Sequence, residues 1–311
     1  MKDLNNKKAA VLLLAHGSPD SVEEIPCFLY AVTGGRPIPD TVVEEVKHRY
    51  GQIGRSPLRD FTVKQAEAVQ SELHLPVYVG MRNWTPYIRE VVPQMEADGI
   101  TYAVAICLAP QNSRTSTGLY RKALLEAQGA AAENPRESFQ IDFVESWHDH
   151  PLLIRAFAEK LECDWKRACV ESGCRLPVIF TAHSVPTRTI SDGDPYEAQA
   201  RETAELVATR SGFLQPTDWR FAFQSQGMSG GPWLGPTVEE TILELQRGGH
   251  KGVFLQPVGF LCDHVEVLYD IDIMFKKYAE EQGIRLWRAE SLNDSPVLSA
   301  ALADVARTRL K

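Results

Sequence analysis

The chain has 311 residues, of which 44% are hydrophobic and 24% charged, and a formal net charge of −8. That length suits one large or two medium domains with well-buried cores, and the ordinary composition argues against a disordered or low-complexity chain. The acidic balance argues against a nucleic-acid partner, whose footprint is basic, and no apolar run approaches the length of a membrane span.

In chain order, Lys7 and Lys8 precede a short apolar run at 9–15 that ends in His16, Gly17, Ser18 and Pro19. A secretory leader would be longer and would end in a small-x-small cleavage pattern. The run is read instead as a first buried strand, with the protein in the cytoplasm. Near-continuous apolar runs bounded by turn residues predict further strands at 76–80, 102–108, 140–145, 177–182, 219–224, 252–258 and 284–289. Amphipathic stretches at 62–73, 86–97, 196–211 and 237–247 predict helices between them. Asp294 or Ser295 caps a last helix that starts at Pro296 and runs to about 309.

Alternating strands and helices imply an α/β fold with parallel sheets. The sequence also repeats itself: residues 11–19 echo 178–186, and 98–110 echo 248–258. A repeat so long is no solenoid and fits two doubly wound, Rossmann-like domains facing each other. The expected domains are 1–148 and 149–311, with the last helix a candidate to cross back. In open parallel sheets the strand C-termini face the ligand crevice, so the strand ends of both domains are expected to line one cleft.

The six cysteines show no Cys-x-x-Cys pair and no regular framework, so reduced thiols are expected. Cys163, Cys169 and Cys174 lie close in sequence, but no second group exists to complete an iron–sulfur cluster.

Polar residues concentrate at the strand ends. His183 closes the strand at 177–182, and Pro186 bends the chain just after it, so its imidazole should face a crevice. A neutral imidazole accepts a proton or binds a borderline metal at physiological pH. After the strand at 252–258 come His264, Glu266, Asp270 and Asp272. Glu266 and Asp270, four apart, would stack on one helix face as a ladder of oxygens able to pass a cation or relay protons. A solvated acidic first turn explains the same acids equally well. His16 occupies the matching strand end of the first domain.

Substrate grip is expected from Arg55 and Ser56, from Arg82, Asn83 and Trp84, from Ser113 and Arg114, and from Trp233. Arginine recognises carboxylates through paired hydrogen bonds, and tryptophan suits a flat aromatic ligand. There is no Gly-x-Gly-x-x-Gly, Walker loop or Gly-x-Ser-x-Gly elbow, so nucleotide-binding and ester-hydrolase readings lack support.

These segments together resemble the ferrochelatases. The likeness runs from Leu13 to about Leu298 and includes Gly17-Ser18-Pro19, Ser56-Pro57-Leu58, Gly193-Asp194-Pro195-Tyr196, Gln224-Ser225, Pro232-Trp233-Leu234-Gly235-Pro236 and the run from Asp263 to Asp270. The resemblance implies two Rossmann-like domains around a porphyrin, with His183 and Glu266 as the catalytic and metal-binding pair. It places His264 and Asp270 among the groups that conduct metal or protons, and Trp233 against the porphyrin. Two positions depart from the pattern. His16 stands where many short members carry tyrosine, and Met274 stands where a further carboxylate is common.

The expected reaction exchanges Fe2+ for two pyrrole protons, His183 accepting at least one and Glu266 binding iron or passing a proton outward. The porphyrin is coproporphyrin III or protoporphyrin IX, with a slight lean to the former. Iron is then a substrate, no cofactor is obligatory, and no iron–sulfur cluster is expected. Partners are porphyrin and Fe2+, with no nucleic acid. A transient contact with a membrane surface or another haem-pathway enzyme is suggested by the apolar lip at 25–32, and the oligomeric state is left open. The rival readings are a sirohydrochlorin-type cobalt or iron chelatase, which His16 favours, and a non-catalytic haem carrier.

Overall fold

A computed structural model describes residues 8–129, 139–213, 215, 217–227 and 231–310. They divide into two compact units. The first comprises Met1–Pro110, Ser116–Trp147 and Asn293–Lys311, and the second comprises Gln111–Thr115 and His148–Leu292.

In the first unit, strands β1 (Ala9–Ala15), β2 (Val77–Met81), β3 (Tyr102–Cys107) and β4 (Gln140–Val144) form one parallel sheet in the order β2-β1-β3-β4. Helices α1 (Ile25–Val32), α2 (Asp40–Ile53), α3 (Leu58–Leu73), α4 (Ile88–Ala97) and α5 (Thr117–Ala127) connect or flank these strands. Strand β1 is central, and residues 10–14 are wholly buried because helices cover both faces of the sheet. On one face Leu12, Leu14, Ala103 and Ala105 pack against Val91, Val92 and Met95 of α4 and Leu124 of α5.

The second unit repeats this plan with α6 (Pro151–Ser172), β5 (Val178–His183), α7 (Thr187–Ser191), α8 (Tyr196–Arg210), β6 (Trp219–Gln224), α9 (Val238–Arg247), β7 (Gly252–Pro257), α10 (Val265–Leu268), α11 (Lys276–Glu281) and β8 (Arg285–Arg288). Its parallel sheet runs β6-β5-β7-β8, the same order one domain later. Both units also turn the same corner after their second strand. Met81 N–H donates to Pro86 O (2.7 Å) across a cis Thr85-Pro86 bond, and Phe223 N–H donates to Pro236 O (2.8 Å) across a cis Gly235-Pro236 bond. Each corner opens a helix whose third residue, Glu90 or Glu240, accepts the N–H of Tyr87 or Thr237. The fold class is therefore α/β, with two doubly wound parallel units related by an internal repeat.

The unit limits differ from a simple division at 148. The last helix, α12 (Pro296–Arg309), lies with the first unit, where Leu298, Ala301 and Leu302 are buried. Arg307 pairs with Glu72 (3.0 Å), Arg309 with Asp142 (3.1 Å), and Asp294 pairs with Lys64 instead of capping the helix. Conversely, 111–115 leaves the first unit for the second. Gln111 donates to Val258 O (3.0 Å) and Thr203 (3.2 Å), and the Asn112 N–H donates to Gln199 (2.6 Å). Among the described residues no helix is long and apolar enough to cross a membrane.

Candidate active site

The chemistry-bearing residues of the second unit collect where β5 and β7 end. Gly259 makes this possible: a Cβ there would lie 2.9 Å from Ala182 Cα, so only glycine lets the chain leaving β7 pass against the end of β5. The close passage brings Phe260 edge-on to both His183 (6.5 Å between ring centroids) and His264 (4.6 Å).

His183 is half-exposed, and its Nδ1 bonds the Ser184 carbonyl. A carbonyl only accepts, so in the neutral ring Nδ1 carries the hydrogen and Nε2 presents a lone pair. That Nε2 lies 3.6 Å from Oε2 of Glu266, which stands on the short helix α10. His264 is held the same way, with Nδ1 on Cys262 O at 3.0 Å. Burial pushes its pKa below the ordinary histidine value, against the opposite pull of Glu266, which favours the uncharged ring of His264.

Three hydrogen bonds, one buried and two partly buried, fix this arrangement. Thr181 donates to Gln224 Oε1 (2.6 Å), and Gln224 Nε2 donates to the Glu266 carbonyl (3.1 Å). Tyr196 donates its hydroxyl to the His183 carbonyl (2.9 Å). Burial, with Glu266 nearby, raises the pKa of Tyr196, which keeps it a donor.

The four residues expected to handle metal do not gather as one group. Among the described residues, no set of three or more His, Cys, Asp or Glu side chains forms a metal-holding cluster. After α10 the chain forms a π-helix, Asp270–Phe275, rather than the continuous α-helix on which Glu266 and Asp270 would stack as a ladder. Asp270 is 2% exposed and accepts from the hydroxyl of Ser225, a residue held at φ +56°. Asp272 accepts both Nε and Nη2 of Arg288, at 2.8 and 2.7 Å. The expected row of acids is thus one carboxylate beside His183, one buried on a serine and one locked to an arginine.

Trp233 is half-buried in a loop sewn onto the residues that follow His183: Leu234 N–H donates to Val185 O (3.0 Å), and Ser184 Oγ donates to Leu234 O (3.0 Å). A Cβ on Gly227 would come within 2.9 Å of the indole Cη2, so glycine leaves room for the ring. Ser113 belongs to this unit and is fully buried, donating to Asp194 (3.2 Å). It secures 111–115 within the second unit. Arg114 does the same through Asp192 (2.7 Å).

In the first unit His16 is exposed just past β1, its Nδ1 on Gly17 O at 3.0 Å, the same one-residue bond that His183 makes. Phe28 lies edge-on between His16 (5.9 Å) and Trp84 (6.0 Å). Gly17 has φ +86°, and a Cβ there would stand 2.8 Å from Trp84 Cβ, so only glycine fits. Two main-chain bonds, Arg82 N–H to Ala15 O and Asn83 N–H to His16 O (both 3.0 Å), fasten the end of β2 to the end of β1. Asn83 is 2% exposed with no hydrogen-bond partner for its Nδ2. Arg82 stacks on Tyr120 (5.5 Å), forms no ion pair among the described residues, and has no partner for its buried Nε.

The other expected grip residues are committed to the scaffold. Arg55 pairs with Asp60 and approaches Asp20 (3.9 Å), and the buried Ser56 accepts from the Leu58 N–H (3.5 Å) at the start of α3. Sequence reasoning missed Ser225 and Arg288 as members of the site. Arg288 gives no local signal, whereas a serine directly after a predicted strand could have been weighed as a strand-end donor.

A family model described as Ferrochelatase matches residues 8–310. The chain is 53% identical to the ferrochelatase of Acidobacterium capsulatum, over 98% of this chain and 95% of that protein. It is 35% identical to the coproporphyrin III ferrochelatase of a Geobacillus species, over 98% of this chain and 99% of that one. Among solved structures, SirB from Bacillus subtilis with Fe3+ has the same fold, with a TM-score of 0.61 at 12% identity and coverage of 97% and 95%.

Proposed function

The chain belongs to the ferrochelatase family, whose reaction inserts iron into a porphyrin in haem biosynthesis, and on that premise we propose that His183 and Glu266 perform the exchange of Fe2+ for pyrrole protons. One observation carries the reading: with Nδ1 of His183 on the Ser184 carbonyl, its Nε2 and a carboxylate oxygen of Glu266 face each other at 3.6 Å. Two acceptors so placed lack a hydrogen between them unless the imidazole is protonated, and a proton or a divalent ion satisfies both. A free-base porphyrin releases two protons as Fe2+ enters, so charge balances within the ring. His183 Nε2 takes a pyrrole proton, because Nδ1 is already occupied by the Ser184 carbonyl. Glu266 receives iron on its way in or carries the proton away, and neutral His264 offers a second Nε2 nearby. Asp270, buried under Ser225, holds the turn rather than meeting iron first.

Coproporphyrin III is the substrate we propose, protoporphyrin IX being the alternative. Coproporphyrin has two more propionates, and Arg82 is a guanidinium without a carboxylate partner. Trp233 is proposed to lie against the macrocycle, and in the first unit Trp84 offers a further aromatic surface, with Phe28 between it and His16. The reaction is placed in the cytoplasm, in keeping with six free thiols.

Anaerobic insertion followed by absorbance, with Fe2+ and each porphyrin in parallel, tests the reading. Faster turnover on coproporphyrin III supports the substrate assignment, and faster turnover on protoporphyrin IX reverses it. No turnover on either overturns the porphyrin reading and favours sirohydrochlorin chelation or haem carriage.

A further inference from the structure

The segment 263–272 carries His264, Glu266 and Asp270, yet its strongest tie lies outside it. Arg288, the last residue of β8, keeps only 12% of its side chain exposed and engages two carboxylates at once. Its Nε and Nη2 bond both oxygens of Asp272, and Nη2 also lies 3.2 Å from Asp263 Oδ1. Ser291 donates to the same Asp263 oxygen (2.8 Å), and Lys276 stands 3.6 Å from Asp272. Asp263 directly precedes His264, and Asp272 lies two residues beyond Asp270, inside the π-helix.

We propose that Arg288 is a positioning residue for iron insertion: by bridging Asp263 and Asp272 it fixes Glu266 against His183 and withholds Asp272 from the incoming cation. The inference rests on the reading that Glu266 acts on iron or its protons. Glu266 stands on a helix of four residues followed by a π-helix, and neither element sustains itself by its own hydrogen bonds. The position of Glu266 is therefore set from outside, by Gln224 at its own carbonyl and by Arg288 at both ends of the segment. A planar guanidinium fork sets direction as well as distance, which an ammonium does not. It also leaves Asp272 with both oxygens occupied, so the cation path keeps Glu266 as its carboxylate beside His183.

The test is steady-state anaerobic Fe2+ insertion by Arg288→Gln, Arg288→Lys, Asp272→Asn and the Arg288→Gln/Asp272→Asn pair, with thermal melting of each and Glu266→Gln in parallel. Arg288→Gln should lower kcat about tenfold and raise KM for Fe2+, with KM for porphyrin within about twofold of wild type. Arg288→Lys should recover part of that loss, and so should Asp272→Asn on the Arg288→Gln background, because the uncompensated carboxylate is gone. Wild-type kcat in folded Arg288→Gln, or a loss confined to porphyrin KM, overturns the proposal. Should Arg288→Gln fail to fold, Asp272→Asn decides: a kcat loss of about threefold at unchanged melting supports it, and wild-type kcat overturns it. Wild-type turnover in Glu266→Gln removes the premise and the clamp with it. An inactive Glu266→Gln beside a fully active Arg288→Gln removes the clamp alone.

Discussion

The two units share strand order, a cis-proline corner after the second strand, and an imidazole at the end of the central strand with Nδ1 on the next carbonyl. They differ in what stands around that imidazole. The second unit sets His183 against a carboxylate, with His264 and the buried Asp270 close by in sequence. The first sets Phe28 against His16, with Trp84 on the far side of Phe28, and its strand ends carry the unsatisfied donors of Arg82 and Asn83. After matched second strands, Arg82 and Asn83 stand where the other unit has Gln224 and Ser225. Repetition of the fold therefore carried over the geometry of presentation, while the strand-end residues differ: acceptors, His183 and Glu266, gather in one unit, and donors and flat rings, Arg82, Asn83 and Trp84, gather in the other.

If that division holds, substitutions in the two units should fail in different kinetic parameters. The largest effect is expected in the second unit. His183→Ala and Glu266→Gln should each lower kcat by about 10²–10⁴-fold while porphyrin binding, followed by fluorescence quenching, stays near wild type. Wild-type turnover in either variant would break the comparison at its centre. In the first unit Gly17→Ala should cost about 2 kcal/mol or more, seen as a lower Tm, because φ +86° is costly for alanine and its Cβ meets Trp84. Arg82→Gln should raise porphyrin KM about tenfold with little change in kcat, and more for coproporphyrin III than for protoporphyrin IX. A kcat loss instead would put Arg82 among the reacting groups and erase the contrast between the units.

The smallest effect concerns pH. Tyr78 donates to Asp98 (2.7 Å), and burial, reinforced by that carboxylate, pushes its pKa up to about 12. The fold favours the protonated phenol, so this contribution is complete below the ordinary tyrosine value near 10 and is lost as pH rises from there towards 12. Tyr78→Phe should thus flatten the alkaline limb of the stability profile between those values and leave neutral activity untouched. Denaturant melts at pH 8 to 12 check it, and an unchanged alkaline limb would count against the assignment.

Much of the fold was legible because the strands are buried on both faces and read as continuous apolar runs. All eight observed strands lie within about two residues of the predicted positions. Helix α2 was not, since polar residues dominate it and Tyr50 is its buried residue. In the site, His183 and Glu266 were legible as strand-end groups. The fate of the remaining acids was not: Asp270 and Asp272 look alike in sequence, and partners as distant as Ser225 and Arg288 decide their roles. Arg55, Ser56 and Ser113 each have a partner in the fold that residue type alone does not reveal. Residue type suggested substrate grip, but Asp60, the Leu58 N–H and Asp194 already engage them.

The five residues 111–115 and helix α12 each lie in the unit opposite to the one their flanking or preceding sequence occupies. A chain cut near 148 would deprive the first half of the helix that buries Leu298 and Leu302, and would strip the second half of Gln111, which donates to Val258 O. Each unit is completed by a segment from the far side of that cut, so a division there leaves neither unit whole.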